Sequence, residues 1–338
     1  MEIIVPAAGL SSRFHGMKPK YLLYDYKHEM MLKNAIGSLL KHNVTIGILK
    51  EHDDMFEAKK AIEYEFKGAV NVVIIDEKTR GPADTVAKIL RKSSININND
   101  IFIKDCDSFF NHTPMSGNYV CVSAIQQHDV LKKLSSKSFV VTNDQGIITS
   151  IIEKDVVSNT FCVGGYKFKS TKLYLSAFDE IQTENEIFVS DVIQQCLHYG
   201  QIFQTNTVFN YTDVGTSSDW FDYNDKAVIF CDIDGTIVKA RPRHNFAGFE
   251  PIQENVDILL RKQQEGCQFI FTTARQKEAE LETRKALDSM GFKNYTLLMN
   301  LLNTKRILIN DYNSSNPFPR AEAVNIRRDS NNLQDFLR

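Results

Sequence analysis

The sequence predicts an α/β protein built as two domains in series, and three observations predict it. Short apolar, strand-like runs alternate with amphipathic stretches of helical spacing along the whole chain, the pattern of parallel α/β folds. The same alternation starts afresh at Lys226–Cys231, where VIFC reads as a buried strand just after the polar stretch SSDWFDYND. The 338 residues suffice for two domains of ~100–200 residues, each burying its own core.

In the first part, Ile3–Pro6, Val44–Leu49, Val70–Ile75 and Ile101–Lys104 read as strands. Between them, Met31–Lys41, Met55–Lys67 and Asp84–Lys92 have helical spacing. Tyr119–Ala124, Phe139–Val141, Ile147–Ile152 and Cys162–Phe168 are further short strands, which predicts a mixed sheet with excursions beyond a doubly wound core. The boundary falls near residue 222, giving domains 1–222 and 223–338. The second domain repeats the logic with a helix at Glu254–Gln264 closed by Gly266, a strand at Gln268–Phe271, a helix at Glu278–Ser289 and a strand at Ile307–Ile309. Both are expected to be Rossmann-like three-layer units.

Composition excludes some partners. A formal charge of −2 offers no basic bias toward nucleic acid or an anionic membrane surface. No apolar run approaches the ~20 residues of a membrane span. The start, MEIIVPAAGL, reads as a first strand and lacks the basic region of an export signal. The six cysteines are scattered, with no CxxC pair, so they are expected to be reduced thiols in or near the core. These features together place the protein in a reducing cytoplasm. They leave open whether it forms a homo-oligomer.

The first candidate site begins at the first turn. PAAGLSSRF follows the first strand directly, and KPKYLL comes shortly after. A strand feeding a Gly/Ser turn presents backbone N–H groups and hydroxyls to phosphate oxygens, here from Ala8, Gly9, Ser11 and Ser12. Arg13 can fork onto those oxygens, and Lys20 can add a point charge. The segment resembles the GxGxRF…PKxL signature of the sugar-phosphate nucleotidyltransferase family, although Leu10 and Ser11 depart from its usual glycine spacing. Further segments resemble that family in the expected order and span about the first 220 residues. They are TRGPADTV, IKDCDSFF, IIEKDVVSNTFCVGGYKF, NEIFVSDVI and YTDVGTSSD.

The resemblance implies a GT-A-like mixed sheet and transfer of a nucleotidyl group from an NTP to a sugar or polyol phosphate, with pyrophosphate leaving. It implies that Gly81, Asp84 and Thr85 lie against the nucleobase. Asp107 and Asp213 would hold Mg²⁺, a hard cation that prefers oxygen ligands. Asp105 reads equally as a further ligand or as a solvated carboxylate. Glu153 would accept sugar hydroxyls, with Gly165 nearby, and Lys154 and Lys167 could pair with the acceptor phosphate. For Lys167 a plain surface lysine is the better single reading. CTP and GTP are the favoured donors.

The second site is the motif VIFCDIDGTIV. A buried strand ends in Asp232 and Asp234, two residues apart and so pointing the same way. Such a pair repels unless a cation or a reaction requires it. The motif resembles the first motif of the haloacid-dehalogenase (HAD) phosphatase superfamily. FIFTTAR resembles the second, with Thr273 and Arg275 handling the phosphoryl group. ILINDYN resembles the fourth, with Asp311 completing a Mg²⁺ site with Asp232 and Asp234. The third-motif cation could be Lys305, Arg306 or neither. The resemblance implies that Asp232 attacks phosphorus while Asp234 serves as acid and then base. The gaps between motifs are too short for a cap domain of ~50 residues. That predicts a capless parallel sheet, with a flap at Val238–Pro251 carrying Arg241, Arg243 and His244.

The expected function is therefore bifunctional: synthesis of a nucleotide-activated sugar or polyol for surface glycans, plus hydrolysis of a phosphomonoester intermediate. The order of the two steps stays open. One alternative is a nucleotide-sugar-dependent glycosyltransferase fused to a phosphatase, against which KPKYLL and DVGTSSD argue. Another is a transferase carrying an inactive, regulatory HAD module, against which the carboxylate sets in both halves argue. A nucleic-acid repair enzyme would need a KxDG lysine and a basic groove, and the chain shows neither.

Overall fold

Strand alternation sorts the first apolar run between two cores. In β1 (Glu2–Ala7), Ile3 and Val5 face one hydrophobic cluster and Ile4 faces the other, and all three are fully buried. A strand covered on both faces is apolar throughout, as the centre of a parallel sheet requires. The structure is a computed structural model describing residues 1–14, 16–125, 134, 137–240, 249–310 and 321–337. Its chain divides into two compact units, Met1–Asn224 and Asp225–Arg338.

In the first unit, α1 (Met31–Ile36) is followed by β2 (Asn43–Leu49), α2 (Lys50–Phe56), α3 (Ala58–Phe66), β3 (Asn71–Ile75), α4 (Pro82–Lys92) and β4 (Ile101–Lys104). The mixed part then adds β5 (Ser108–Asn111), β6 (Asn118–Ala124), β7 (Ser138–Thr142), β8 (Ile148–Glu153) and β9 (Thr160–Phe168). It closes with α5 (Thr171–Asp179), α6 (Val189–His198), β10 (Phe203–Thr207), β11 (Phe209–Asp213) and α7 (Ser217–Asn224). The main sheet runs β10-β6-β9-β4-β1-β2-β3, with β7 and β8 joined to it through β9. Strands β4, β1, β2 and β3 are mutually parallel, and β9 lies antiparallel between β4 and β6. Helices α1 and α3 cover one face, while α4, α5 and α6 cover the other. This is the expected mixed, three-layered sheet.

Two expected helices differ. The single helix at Met55–Lys67 is two helices, broken at Glu57, whose backbone is left-handed (φ 48°, ψ 43°). Glu57 N–H closes α2 on the Asp53 carbonyl, and Asp53 Oδ1 accepts the Lys59 N–H at the start of α3. Apolar spacing cannot register a break that leaves the buried face in phase. Met31–Lys41 is helical only to Ile36 and tightens into a 3-10 turn at Gly37–Leu39. Five of the six cysteines are buried and Cys267 is partly so, and all are free thiols.

The second unit is a parallel sheet β12-β13-β14, with β12 (Val228–Asp232), β13 (Gln268–Thr272) and β14 (Thr296–Leu298). Helices α8 (Gln253–Gln264) and α9 (Glu280–Ser289) alternate with its strands. Its core joins Ile233, Val256, Phe269, Phe271 and Phe292. The expected strand at Ile307–Ile309 is irregular here, with Ile309 91% exposed. Among the described residues no layer covers its apolar side chains. The third strand is instead β14, whose three residues bury only Leu297 and carry too little pattern to be read. Arg241, Arg243 and His244 of the expected flap lie outside the described residues. The segment's described ends are pinned by Lys239 N–H to the Glu250 carbonyl and Ile252 N–H to the Ile237 carbonyl.

His112, just after β5, lies flat on Phe102 at 4.8 Å with 7° between the rings, and its Nε2 is 3.4 Å from the Tyr119 hydroxyl. Burial, aided by the charges of Lys104 and Lys41, pulls its pKa down to about 4. Between that value and the ordinary 6.5 the unfolded chain binds the extra proton, so the neutral ring stabilises the fold above pH 6.5 and that contribution is lost toward pH 4. His112→Phe is expected to lose less stability than wild type over this interval. Urea midpoints measured from pH 7 to 4 check it, and equal losses would contradict the assignment.

Candidate functional site

The first turn is drawn together by its own hydroxyl. Ser11, in the left-handed region (φ 52°), accepts the Lys20 N–H on its Oγ at 3.1 Å, while its carbonyl accepts the Phe14 N–H. Ala8 is buried beneath the turn, whereas Gly9, Ser12 and Arg13 are exposed above it. Lys20 is thereby carried to the end of β4, where its Nζ donates to Asp107 Oδ2 at 2.5 Å. Arg13 stands 3.9 Å from the same oxygen. Burial favours neutral forms at this point, but the two opposite charges outweigh it: Lys20 is held above the ordinary lysine value and Asp107 far below the usual carboxylate range.

Asp213 arrives from β11, which pairs antiparallel with β5 so that Asp213 lies beside Ser108. Val214 N–H donates to the Asp107 carbonyl, and Gly215 N–H donates to Asp213 Oδ1 at 2.9 Å. A Cβ on Gly215 would meet Asp213 Oδ1 at 3.0 Å and Asp107 Oδ2 at 3.1 Å. The two carboxylates therefore converge on a cradle that only a glycine leaves open. After Gly215, Thr216 and Asp219 cap α7 reciprocally, each side chain bonding the other's backbone N–H.

Two carboxylates in such a cradle fit Mg²⁺, which keeps several waters and shares the rest of its shell with substrate phosphates. Among the described residues no group of three or more His, Cys, Asp and Glu side chains gathers as a fuller metal cage. Asp105 is close by but faces Gly164, whose added Cβ would strike its carboxylate at 2.5 Å. Burial first, and then the charge of Asp107, push its pKa up to about 6.

Around this centre several expected residues take defined places. Glu153, at the end of β8, accepts from the hydroxyls of Ser138 and Ser190, the latter at 2.8 Å. Lys154, in a left-handed conformation, lies 4.4 Å over the Phe188 ring and 4.0 Å from Glu186. Gly81 has φ 121°, and an added Cβ would meet the Ile187 carbonyl at 2.6 Å, so the turn into α4 requires glycine. Asp84 and Thr85 are buried and bond inward: Asp84 accepts the Arg80 N–H, and Thr85 bonds Thr79 and the Gly81 carbonyl. Their side chains tie the loop together.

Two expectations are corrected. Lys167 pairs with Asp100 at 2.9 Å, at the start of β4, while the carboxylates stand past its other end. The antiparallel register puts Lys167 opposite Phe102, so it cannot share a phosphate with Lys154. Gly165 backs onto Phe110 and Cys121 in the sheet interior, and it is Gly164 that borders the site.

Two lysines escaped the sequence reading. Lys104 is 1% exposed and gives its three donors to the Asp105 carbonyl, the Ser108 carbonyl and Ser108 Oγ, with Phe110 beneath it at 4.4 Å. It ties the turn that carries Asp107; a lysine closing an otherwise apolar strand before two aspartates was the available signal. Lys137, just before β7, donates to Asp213 and to the Tyr211 hydroxyl at 2.9 Å. No motif marked it.

In the second unit Asp232 and Asp234 emerge together beyond β12. Asp234 is gripped by Arg275, through Nε at 3.0 Å and Nη2 at 2.5 Å, and accepts from Thr273 Oγ1 at 3.1 Å. The Arg275 guanidinium rests 4.4 Å from the Phe249 ring. Thr272 turns its hydroxyl inward to the Cys231 carbonyl, whereas the Thr273 hydroxyl turns to Asp234. Lys305 is exposed, and it is its neighbour Arg306 that reaches Asp232, at 3.0 Å. Burial raises the Asp232 pKa and Asp234 adds to the rise, against Arg306 and Arg328. Arg328 belongs to the C-terminal segment and lies across Gly235. The two carboxylates and the cations around them suit a phosphate and a divalent cation, and Asp311, the expected third acid, lies outside the described residues.

No protein-family model matches the chain, and no curated protein matches its sequence. Solved structures do resemble it. A nucleoside-diphosphate-sugar pyrophosphorylase from Vibrio cholerae RC9 is 20% identical with a TM-score of 0.55, covering 65% of this chain and 98% of its own. The inositol-1-phosphate CTP transferase from T. maritima is 19% identical with a TM-score of 0.53, covering 64% and 90%. A UDP-glucose pyrophosphorylase complexed with UDP-glucose is 14% identical with a TM-score of 0.50, covering 65% and 95%. Over about two thirds of its length, close to the extent of the first unit, the chain has the fold of these nucleotidyl-transferring enzymes.

Proposed function

We propose that the first unit is a nucleotidyltransferase that couples an NTP to a sugar or polyol phosphate, and that the second hydrolyses a phosphomonoester of the same pathway. The observation that carries the first half is the convergence of Asp107, Asp213, Lys20 and Arg13 at one end of a sheet whose fold such transferases share.

In this reading the Gly9–Arg13 turn receives the triphosphate through backbone N–H groups, and Arg13 and Lys20 neutralise its charge. Asp107 and Asp213 would hold Mg²⁺, which would supply positive charge beside the phosphate oxygens. Glu153, steadied by Ser138 and Ser190, accepts hydroxyls of the acceptor, and Lys154 draws its phosphate. The protein's work is placement and charge compensation, as phosphoryl transfer demands. CTP and GTP remain the favoured donors, and nucleotide-activated precursors of surface glycans the favoured products.

In the second unit, Asp232 attacks phosphorus to form an aspartyl-phosphate, and Asp234 passes a proton to the leaving oxygen and then takes one from water. Arg306 offsets the repulsion between Asp232 and the phosphate, and Arg275 and Thr273 orient Asp234. Mg²⁺ held by Asp232, Asp234 and Asp311 would supply further charge.

³¹P NMR with Mg²⁺, each of four NTPs and a panel of sugar and polyol mono- and bisphosphates tests both halves. Lys20→Ala or Asp107→Ala is expected to slow pyrophosphate release by about 10²–10³, the usual effect of removing one charge-stabilising group. Orthophosphate release should survive in these variants and vanish in Asp232→Asn. Near-normal pyrophosphate release by either first-unit variant would refute the assignment. For the phosphatase, Arg306→Ala should cost at least about tenfold in kcat/KM and Lys305→Ala little. The opposite ranking would return the third-motif role to Lys305.

A further inference from the structure

The Asp107–Asp213 cradle is already filled with positive charge. Lys137 is 14% exposed on its side chain and donates to Asp213, while Lys20 donates to Asp107 with Arg13 beyond it. The Lys137 ammonium is bonded to both Asp213 and the Tyr211 hydroxyl. Two carboxylates thus face two bonded ammonium groups and a nearby guanidinium. A divalent cation entering this array alone adds charge to a site that is already compensated. A cation entering with a triphosphate brings more negative charge than positive, and the lysines then have phosphate oxygens to move to.

We propose that Lys137 is a phosphate-binding residue that occupies Asp213 in the ligand-free protein and yields it only when metal and polyphosphate arrive together. The idea rests on the transferase reading of the first unit and adds to it an order of binding. Geometry supports the handover. Lys137 immediately precedes β7, where its carbonyl accepts the Lys154 N–H and the first strand residue, Ser138, holds Glu153. The same short stretch therefore touches the metal carboxylate and the acceptor carboxylate. Tyr211, across β11, offers the ammonium a second partner at 2.9 Å that does not compete for metal.

The test is Mn²⁺ binding to the full chain by electron paramagnetic resonance, with and without saturating pyrophosphate. An Asp232→Asn/Asp234→Asn background keeps the second unit from contributing. The parent is expected to bind Mn²⁺ weakly alone and far more tightly with pyrophosphate. Lys137→Met should bind Mn²⁺ alone about tenfold or more tighter than the parent, the size expected for removing one competing charge a few ångströms away. Its gain from pyrophosphate should be smaller, and Lys137→Arg should behave as the parent does. Should Lys137→Met fail to fold, Lys137→Gln, which can still bond Tyr211, is read in the same way. If folded Lys137→Met binds Mn²⁺ no tighter while the parent shows strong pyrophosphate dependence, the placeholder role falls and the transferase reading stands. A parent indifferent to pyrophosphate would overturn both.

Discussion

Two like charges held beside Gly215 set the terms for everything around them in the first unit. Asp107 and Asp213 both come within about van der Waals distance of the point where a side chain would start, and unpaired carboxylates that close would repel. Each is answered by a lysine drawn from a different part of the chain: Lys20 from the loop after the first turn, Lys137 from just before β7. The β5–β11 ladder brings the acids together. Ser11 fixes the loop that delivers Lys20, and Lys104 ties the turn that delivers Asp107. The fold thus concentrates charge of both signs at one end of the sheet.

The second unit meets the same problem with arginine. Asp232 and Asp234 are two residues apart on one strand end, so proximity is automatic and only compensation had to be arranged. Arg275 forks onto Asp234 in the planar geometry that a carboxylate accepts, and Arg306 engages Asp232. Lysine in one site and arginine in the other is a chemical difference. A flexible ammonium can transfer between partners, whereas a bidentate guanidinium holds its carboxylate in one orientation.

Legibility followed locality. The central strands were readable because doubly covered parallel strands are apolar throughout, and Asp232 and Asp234 because two acids close an apolar run. Met55–Lys67 was misread because a left-handed residue at Glu57 interrupts the backbone without disturbing the apolar spacing. Ile307–Ile309 was misread because an apolar run reports what could be buried, and only a neighbouring layer decides whether it is. Lys167 was offered as a phosphate partner or a surface lysine, and only the register of β9 shows that it reaches Asp100 at the far end of the strand.

By itself the sequence determined the two-part α/β plan, the turn after the first strand, and the acids Asp107, Asp213, Asp232 and Asp234 as candidates. Each of these is written in a period, a spacing or a local motif. Only the tertiary structure decided which cations answer those acids, that Gly164 and not Gly165 borders the first site, and that Arg306 and not Lys305 reaches Asp232. It also brought Lys137 to Asp213 across seventy-six positions of chain. Pairings of that kind depend on strand register and on which ends of separate elements meet, and neither leaves a mark in the order of residues nearby.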